Sequence, residues 1–180
     1  MARHIVLLRG INLGPRNRIA MPALRELLTG EGFGDVRTYV QSGNVVLSSD
    51  VSPNEVRDRC ERKIAQQFGF DVAVVVRSRD QLAEVVARNP LADVADNPKR
   101  YQVSFLSHEP APAGIEKLAS LATPTERLTH IGREIYAWHP DGVARSKLWA
   151  ALAAGRELGV TATSRNWTTV TTLLAIADER

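Results

Sequence analysis

Apolar positions along the chain switch between two periods. Ile5–Leu8 is a short continuous apolar run, the pattern of a strand buried on both faces. Met21, Leu24, Leu27 and Leu28 then fall at helical spacing with Pro22 in the first turn, which predicts a helix over Met21–Glu31. Val36–Val40 and Asn44–Leu47 read as hairpin strands joined through Ser42-Gly43. Val36, Thr38, Val40, Val45 and Leu47 are expected on the core face, with Arg37, Tyr39, Gln41 and Asn44 opposite. Ser52 or Asn54 caps a second helix, along which Val56, Cys60, Ile64 and Phe68 recur every fourth residue, and Val72–Val76 is a further buried strand.

After Arg77 the pattern partly repeats. Arg79–Ala87 is predicted helical, Asn89–Lys99 a polar loop, Tyr101–Leu106 a strand and Gly114–Leu121 a helix. Leu128–Ile131 and Glu134–Trp138 form a hairpin around Gly132-Arg133. Trp149–Leu158 is expected as a helix ended by Gly159. Ser164–Ala177 is expected as a last helix, with Trp167, Val170, Leu174 and Ala177 on one face. The order predicts an α+β fold of two ferredoxin-like (βαββαβ-type) halves, residues 1–77 and 78–180, the second with a C-terminal helix in place of its final strand.

At 180 residues the chain can bury a sizeable core without disulfides, and its one cysteine, Cys60, allows no disulfide framework or CxxC site. Cys60 lies on an apolar helical stripe and reads as a buried structural thiol. No apolar stretch has the length of a signal-peptide core or a membrane helix, so a soluble cytoplasmic protein with no membrane partner is expected. The net charge of +3 is unevenly spread: residues 1–77 hold 11 basic and 8 acidic side chains, and the remainder 12 of each. Arg3, Arg9, Arg16, Arg18 and Arg25 all precede the first acid, Glu26, which points to a local basic patch able to attract phosphates or carboxylates.

Motifs of known chemistry are few. The four histidines show neither HxxxH nor HExxH spacing, so no metal site is expected. The loop Arg9–Arg18, with Gly10 and Gly14, follows a strand and precedes a helix, where backbone N–H groups can hold an anion. It matches neither GxxxxGK[ST] nor GxGxxG, and no cofactor is expected. Arg165 and Asn166 are expected in the first turn of the last helix, where a cation is disfavoured unless it meets an anion. Ser42, Ser146 and Tyr39 become nucleophile candidates only with a base within about 2.6–3.2 Å.

Four segments give the chain a family likeness. Leu7-Leu8-Arg9-Gly10-Ile11-Asn12-Leu13-Gly14, Arg37-Thr38-Tyr39-Val40-Gln41-Ser42-Gly43-Asn44-Val45, Gly142-Val143-Ala144-Arg145-Ser146-Lys147-Leu148 and Ser164-Arg165-Asn166-Trp167 together resemble the bacterial family known as domain of unknown function 1697. The resemblance implies an α+β fold of two ferredoxin-like halves and supplies no reaction, cofactor or catalytic residue. Pro15 stands where the family commonly has a second Gly, and Thr168 where an Asn usually follows the Trp. Pro15 stiffens the first loop and removes one N–H donor.

The leading functional reading is a binding module for a small anionic or phosphorylated ligand such as a nucleotide, at a site between the two halves. Arg9, Arg16, Arg18, Lys147 and Arg165 would supply charge, and Asn12, Gln41, Asn44 and Asn166 orienting hydrogen bonds. The alternatives are an enzyme on a phosphorylated substrate, a weak nucleic-acid binder, and a scaffold whose polar turns serve the fold alone. A net charge of only +3 argues against a broad phosphate footprint, which ranks nucleic acid low.

Overall fold

A computed structural model describes residues 1–179. The elements run β1 (Ala2–Leu8), α1 (Met21–Gly30), β2 (Gly34–Tyr39), β3 (Asn44–Ser49), α2 (Pro53–Phe68), β4 (Val74–Ser78) and α3 (Arg79–Arg88). They continue with β5 (Tyr101–Leu106), α4 (Pro112–Ser120), β6 (Arg127–Ile131), β7 (Glu134–Trp138), α5 (Lys147–Ala154), a 3-10 turn (Arg156–Leu158), β8 (Ala162–Asn166) and α6 (Trp167–Asp178). The strands form two four-stranded antiparallel sheets, in the orders β2-β3-β1-β4 and β6-β7-β5-β8. This is an α+β fold with two similar halves and a C-terminal helix. The residues gather into two compact units: Met1–Glu84 with the chain from Thr172 onward, and Val85–Thr171.

In the first unit, Val6 and Leu8 of β1, Val45 and Leu47 of β3, and Val74 and Val76 of β4 turn one sheet face toward α1 and α2. Leu24 and Leu28 of α1 and Val56, Cys60 and Ile64 of α2 close over them. Both helices carry a proline in their first two positions, Pro22 in α1 and Pro53 in α2. At α2 the Ser52 hydroxyl also accepts the Glu55 N–H, so Ser52 is the cap rather than Asn54. Cys60 is fully buried, and burial pushes its thiol up to about 12, so the thiolate is suppressed. In the second unit Leu106, Ile135, Ala137 and Ala162 meet Leu118, Leu148 and Leu152 in a comparable core.

Three sequence expectations are corrected. Tyr39 pairs with Asn44, so the first hairpin turns through four residues, 40–43. Val40, at φ 50, leaves the core face and is 52% exposed. The helix expected at Trp149–Leu158 begins at Lys147 and ends before Gly155, followed by the 3-10 turn. The helix expected from Ser164 begins at Trp167, because Ala162–Asn166 pairs along β5 as the final strand of the second sheet. Trp167, Val170 and Ala177 fix a helical face, but Ser164, Arg165 and Asn166 carry no apolar side chain to extend it backward.

Candidate functional site

The arginine loop of the first unit is held at its neck. Leu8 N–H donates to the Gly43 carbonyl (2.8 Å) and Arg9 N–H to the Ala73 carbonyl (2.9 Å), which fixes the end of β1. Asn12 takes a left-handed φ of 55, a conformation its short amide tolerates, and its N–H donates to the Asn17 carbonyl at 3.1 Å. Its Nδ2 donates to the carbonyls of Ile19 (2.9 Å) and Gln41 (2.7 Å), while Oδ1 accepts the Ile19 N–H (2.9 Å). The loop is thereby closed on itself and tied to the β2–β3 turn.

That turn lies hard against β1. Gly43 has φ 82, and a Cβ there would stand 2.6 Å from Leu8 Cβ, so no side chain fits. Asn44 is buried and closes the turn from within, Nδ2 donating to the Tyr39 carbonyl (3.1 Å) and to Ser42 Oγ (2.9 Å). Gln41 is exposed with its carbonyl taken by Asn12. Beyond the neck, Leu13 is 84% exposed and Arg16 and Arg18 are exposed. Arg18 reaches only the Gly14 carbonyl (3.2 Å), and Arg16 makes no hydrogen bond or ion pair among the described residues. Arg9 is half-buried.

In the second unit Lys147 is the exposed first residue of α5. Arg165 stands in β8 opposite Val103, not in a helical turn, and is 8% exposed. Its guanidinium donates to Thr163 Oγ1 (2.7 Å) and to the Ser164 carbonyl (2.8 Å), and burial pulls its pKa down to about 10. Asn166 caps α6, its Oδ1 accepting the Thr169 N–H at 2.9 Å. Of the nine residues singled out from sequence, Asn12 and Gln41 are bonded together and Asn44 shares their turn. The side chains of Asn12, Asn44 and Asn166 are spent on the chain itself.

A second cluster carries no sequence motif. Glu126 precedes β6, His139 follows β7, and Ser146 caps α5; all three are buried. Glu126 Oε2 lies 2.5 Å from His139 Nδ1 and accepts the Ser146 hydroxyl at 2.6 Å, while Oε1 accepts the Thr123 N–H at 3.1 Å. Burial raises the Glu126 pKa, but these three donors outweigh it and hold the carboxyl below its usual value, hence ionised. Ser146 Oγ accepts the Trp149 N–H at 3.0 Å. A cavity of about 400 Å³ opens here, lined by Thr123, Glu126, Asp141, Gly142, Ala144, Arg145 and Ser146. Sequence could have offered Ser146 as a helix cap had the helix been started at Lys147. Glu126 lies 13 residues before His139 and 20 before Ser146, so no local motif signals the cluster.

Among the described residues no group of three or more His, Cys, Asp and Glu side chains could hold a metal ion, and no helix is long and apolar enough to cross a membrane. A comparison with curated proteins finds no match. Among solved structures, the conserved bacterial protein SP0830 from Streptococcus pneumoniae superposes with a TM-score of 0.80 at 22% identity, over 98% of this chain and 99% of that one. That likeness is one of fold. The model of the DUF1697 family, described as a protein of unknown function, matches residues 1–136, and the chain belongs to that family.

Proposed function

We propose that this protein binds a small anionic or phosphorylated ligand and that the loop between β1 and α1 holds its charge. One observation carries the reading. The Asn12 staple fixes the neck of the loop and leaves Arg16 and Arg18 exposed beyond it, Arg16 without a partner among the described residues, in a stretch with no acid before Glu26. A fixed loop bearing exposed cations with no acidic partner loses little entropy when an anion arrives. Arg9 and Gln41 flank the same neck and complete the proposed set there.

Thermal melting against inorganic phosphate, nucleotides and sugar phosphates tests this. A ligand at a hundred times its Kd stabilises by about 2.7 kcal/mol. For a chain of this length that is roughly 5–11 °C in Tm. Arg16→Ala/Arg18→Ala is expected to melt like the wild type without ligand and to lose the rise. A wild type indifferent to every anion, or a double variant that still responds in full, refutes the proposal.

A further inference from the structure

We propose that Ser146 is a nucleophile activated by Glu126, and that the cavity they line accepts a carboxylic ester bearing an anionic group. The hydroxyl is placed for this. It donates to Glu126 Oε2 at 2.6 Å, within the range a general base requires, and accepts the Trp149 N–H at 3.0 Å. The hydroxyl belongs to a residue that lines a cavity of about 400 Å³. Ser146 Oγ and His139 Nδ1 both address the same carboxylate oxygen and lie 3.3 Å apart. His139 is therefore not the base of the serine. It is a positioning residue that holds Glu126.

Capping α5 requires only the bond from the Trp149 N–H to Ser146 Oγ. It does not require an ionised carboxylate buried beside that oxygen, which is costly to place. The surroundings suit the proposed substrate. Arg145 lines the cavity, Lys147 follows the serine, and neither side chain has a partner among the described residues. The backbone N–H groups of Lys147 and Leu148 also have no acceptor there, so an oxyanion formed beside Ser146 Oγ would find donors within one turn.

In the first step Ser146 Oγ bonds to the ester carbonyl carbon, the carbonyl π pair moves to oxygen, and the hydroxyl proton passes to Glu126. Collapse breaks the ester C–O bond, and the departing alkoxide takes that proton and leaves as the alcohol. Water then attacks the acyl-serine and gives its proton to Glu126, and Ser146 Oγ departs with it. The sum is ester plus water giving acid plus alcohol.

A fluorophosphonate probe tests the proposal on the full chain, since it phosphonylates an activated serine with loss of fluoride. The expected result is a single adduct that maps to Ser146, absent in Ser146→Gly, a substitution that keeps most of the cap. Glu126→Gln is expected to slow labelling by about 100-fold or more, as loss of a general base does. If that variant does not fold, Glu126→Asp, which draws the carboxylate back by one methylene, should slow it by about 10-fold or more. His139→Asn, whose amide can donate as Nδ1–H does, should label faster than His139→Ala. No adduct on Ser146 in the folded wild type overturns the proposal, as does an unchanged rate in both Glu126 variants.

Discussion

Replacing Asn12 dissects the neck of the arginine loop. The side chain makes three hydrogen bonds, two donated by Nδ2 and one accepted by Oδ1, and one of its partner residues, Ile19, is buried. At about 0.5–1.5 kcal/mol net per bond, their loss costs roughly 1.5–4.5 kcal/mol. The neck is only part-buried, so about 2 kcal/mol is expected for Asn12→Gly, which keeps the left-handed φ of 55 accessible. Asn12→Ala loses the same bonds and adds about 1 kcal/mol for placing a Cβ in that conformation. In Tm the two variants should fall by roughly 4–8 °C and 6–12 °C. Asn12→Asp keeps the acceptor for Ile19 N–H but turns a carboxylate oxygen toward two carbonyls, and should melt no higher than Asn12→Gly. Thermal unfolding followed by circular dichroism ranks the three. Both melting with the wild type would show that the amide does not hold the loop, and glycine melting below alanine would refute the cost assigned to the left-handed φ.

Other substitutions probe the cores and the buried acid. Cys60→Ser should lower stability by about 1–3 kcal/mol, because the hydroxyl enters an apolar site, and native Cys60 should resist thiol reagents until the protein unfolds. Rapid labelling of the folded chain would contradict its burial. Gly114→Ala, ordinarily stabilising within a helix, should destabilise, since its Cβ would stand 2.4 Å from the Glu157 carbonyl oxygen; a raised Tm refutes that contact. Glu126 has a folded-state pKa below 4.5, so its contribution is complete above about pH 4.5 and is lost as pH falls through the lower folded value. The stability gap between wild type and Glu126→Gln should therefore shrink on acidification, and a widening gap would reverse the assignment.

Where an element carries an apolar period of its own, the chain is readable almost to the residue. Tyr101–Leu106 sets apolar Tyr101, Val103 and Phe105 alternately with polar residues and is β5; Gly132-Arg133 joins β6 to β7; the stripe through Val56, Cys60 and Ile64 is the buried face of α2. Misreadings fall where hydrogen bonding rather than hydrophobicity decides. Val40 has the side chain of a core strand, but the four-residue turn gives it a positive φ and turns it to solvent. Ala162–Asn166 becomes a strand by pairing with β5, a partner some sixty residues away along the chain for Ser104 and Ser164. A local pattern without apolar anchors does not report such a pairing.

The same distinction governs the candidate sites. Arg165 pointed to an anion only as a cation at a helix start; in β8 it meets Thr163 and the Ser164 carbonyl, and burial rather than a dipole sets its pKa. Amides concentrated in loops suggest a ligand, yet a loop neck and a helix cap need the same groups, and Asn12, Asn44 and Asn166 serve those needs. Partner inventory separates the two roles: Asn12 bonds through both ends of its amide, whereas Arg16 has nothing to bond among the described residues. For Ser146 the deciding quantity was a distance to a base, and that base, Glu126, comes from a turn twenty residues earlier. Such a pair exists only after the second sheet has brought the ends of β6 and β7 to the start of α5. The chemistry of the second unit is thus a product of its topology, and the cations of the first are legible because they share one loop.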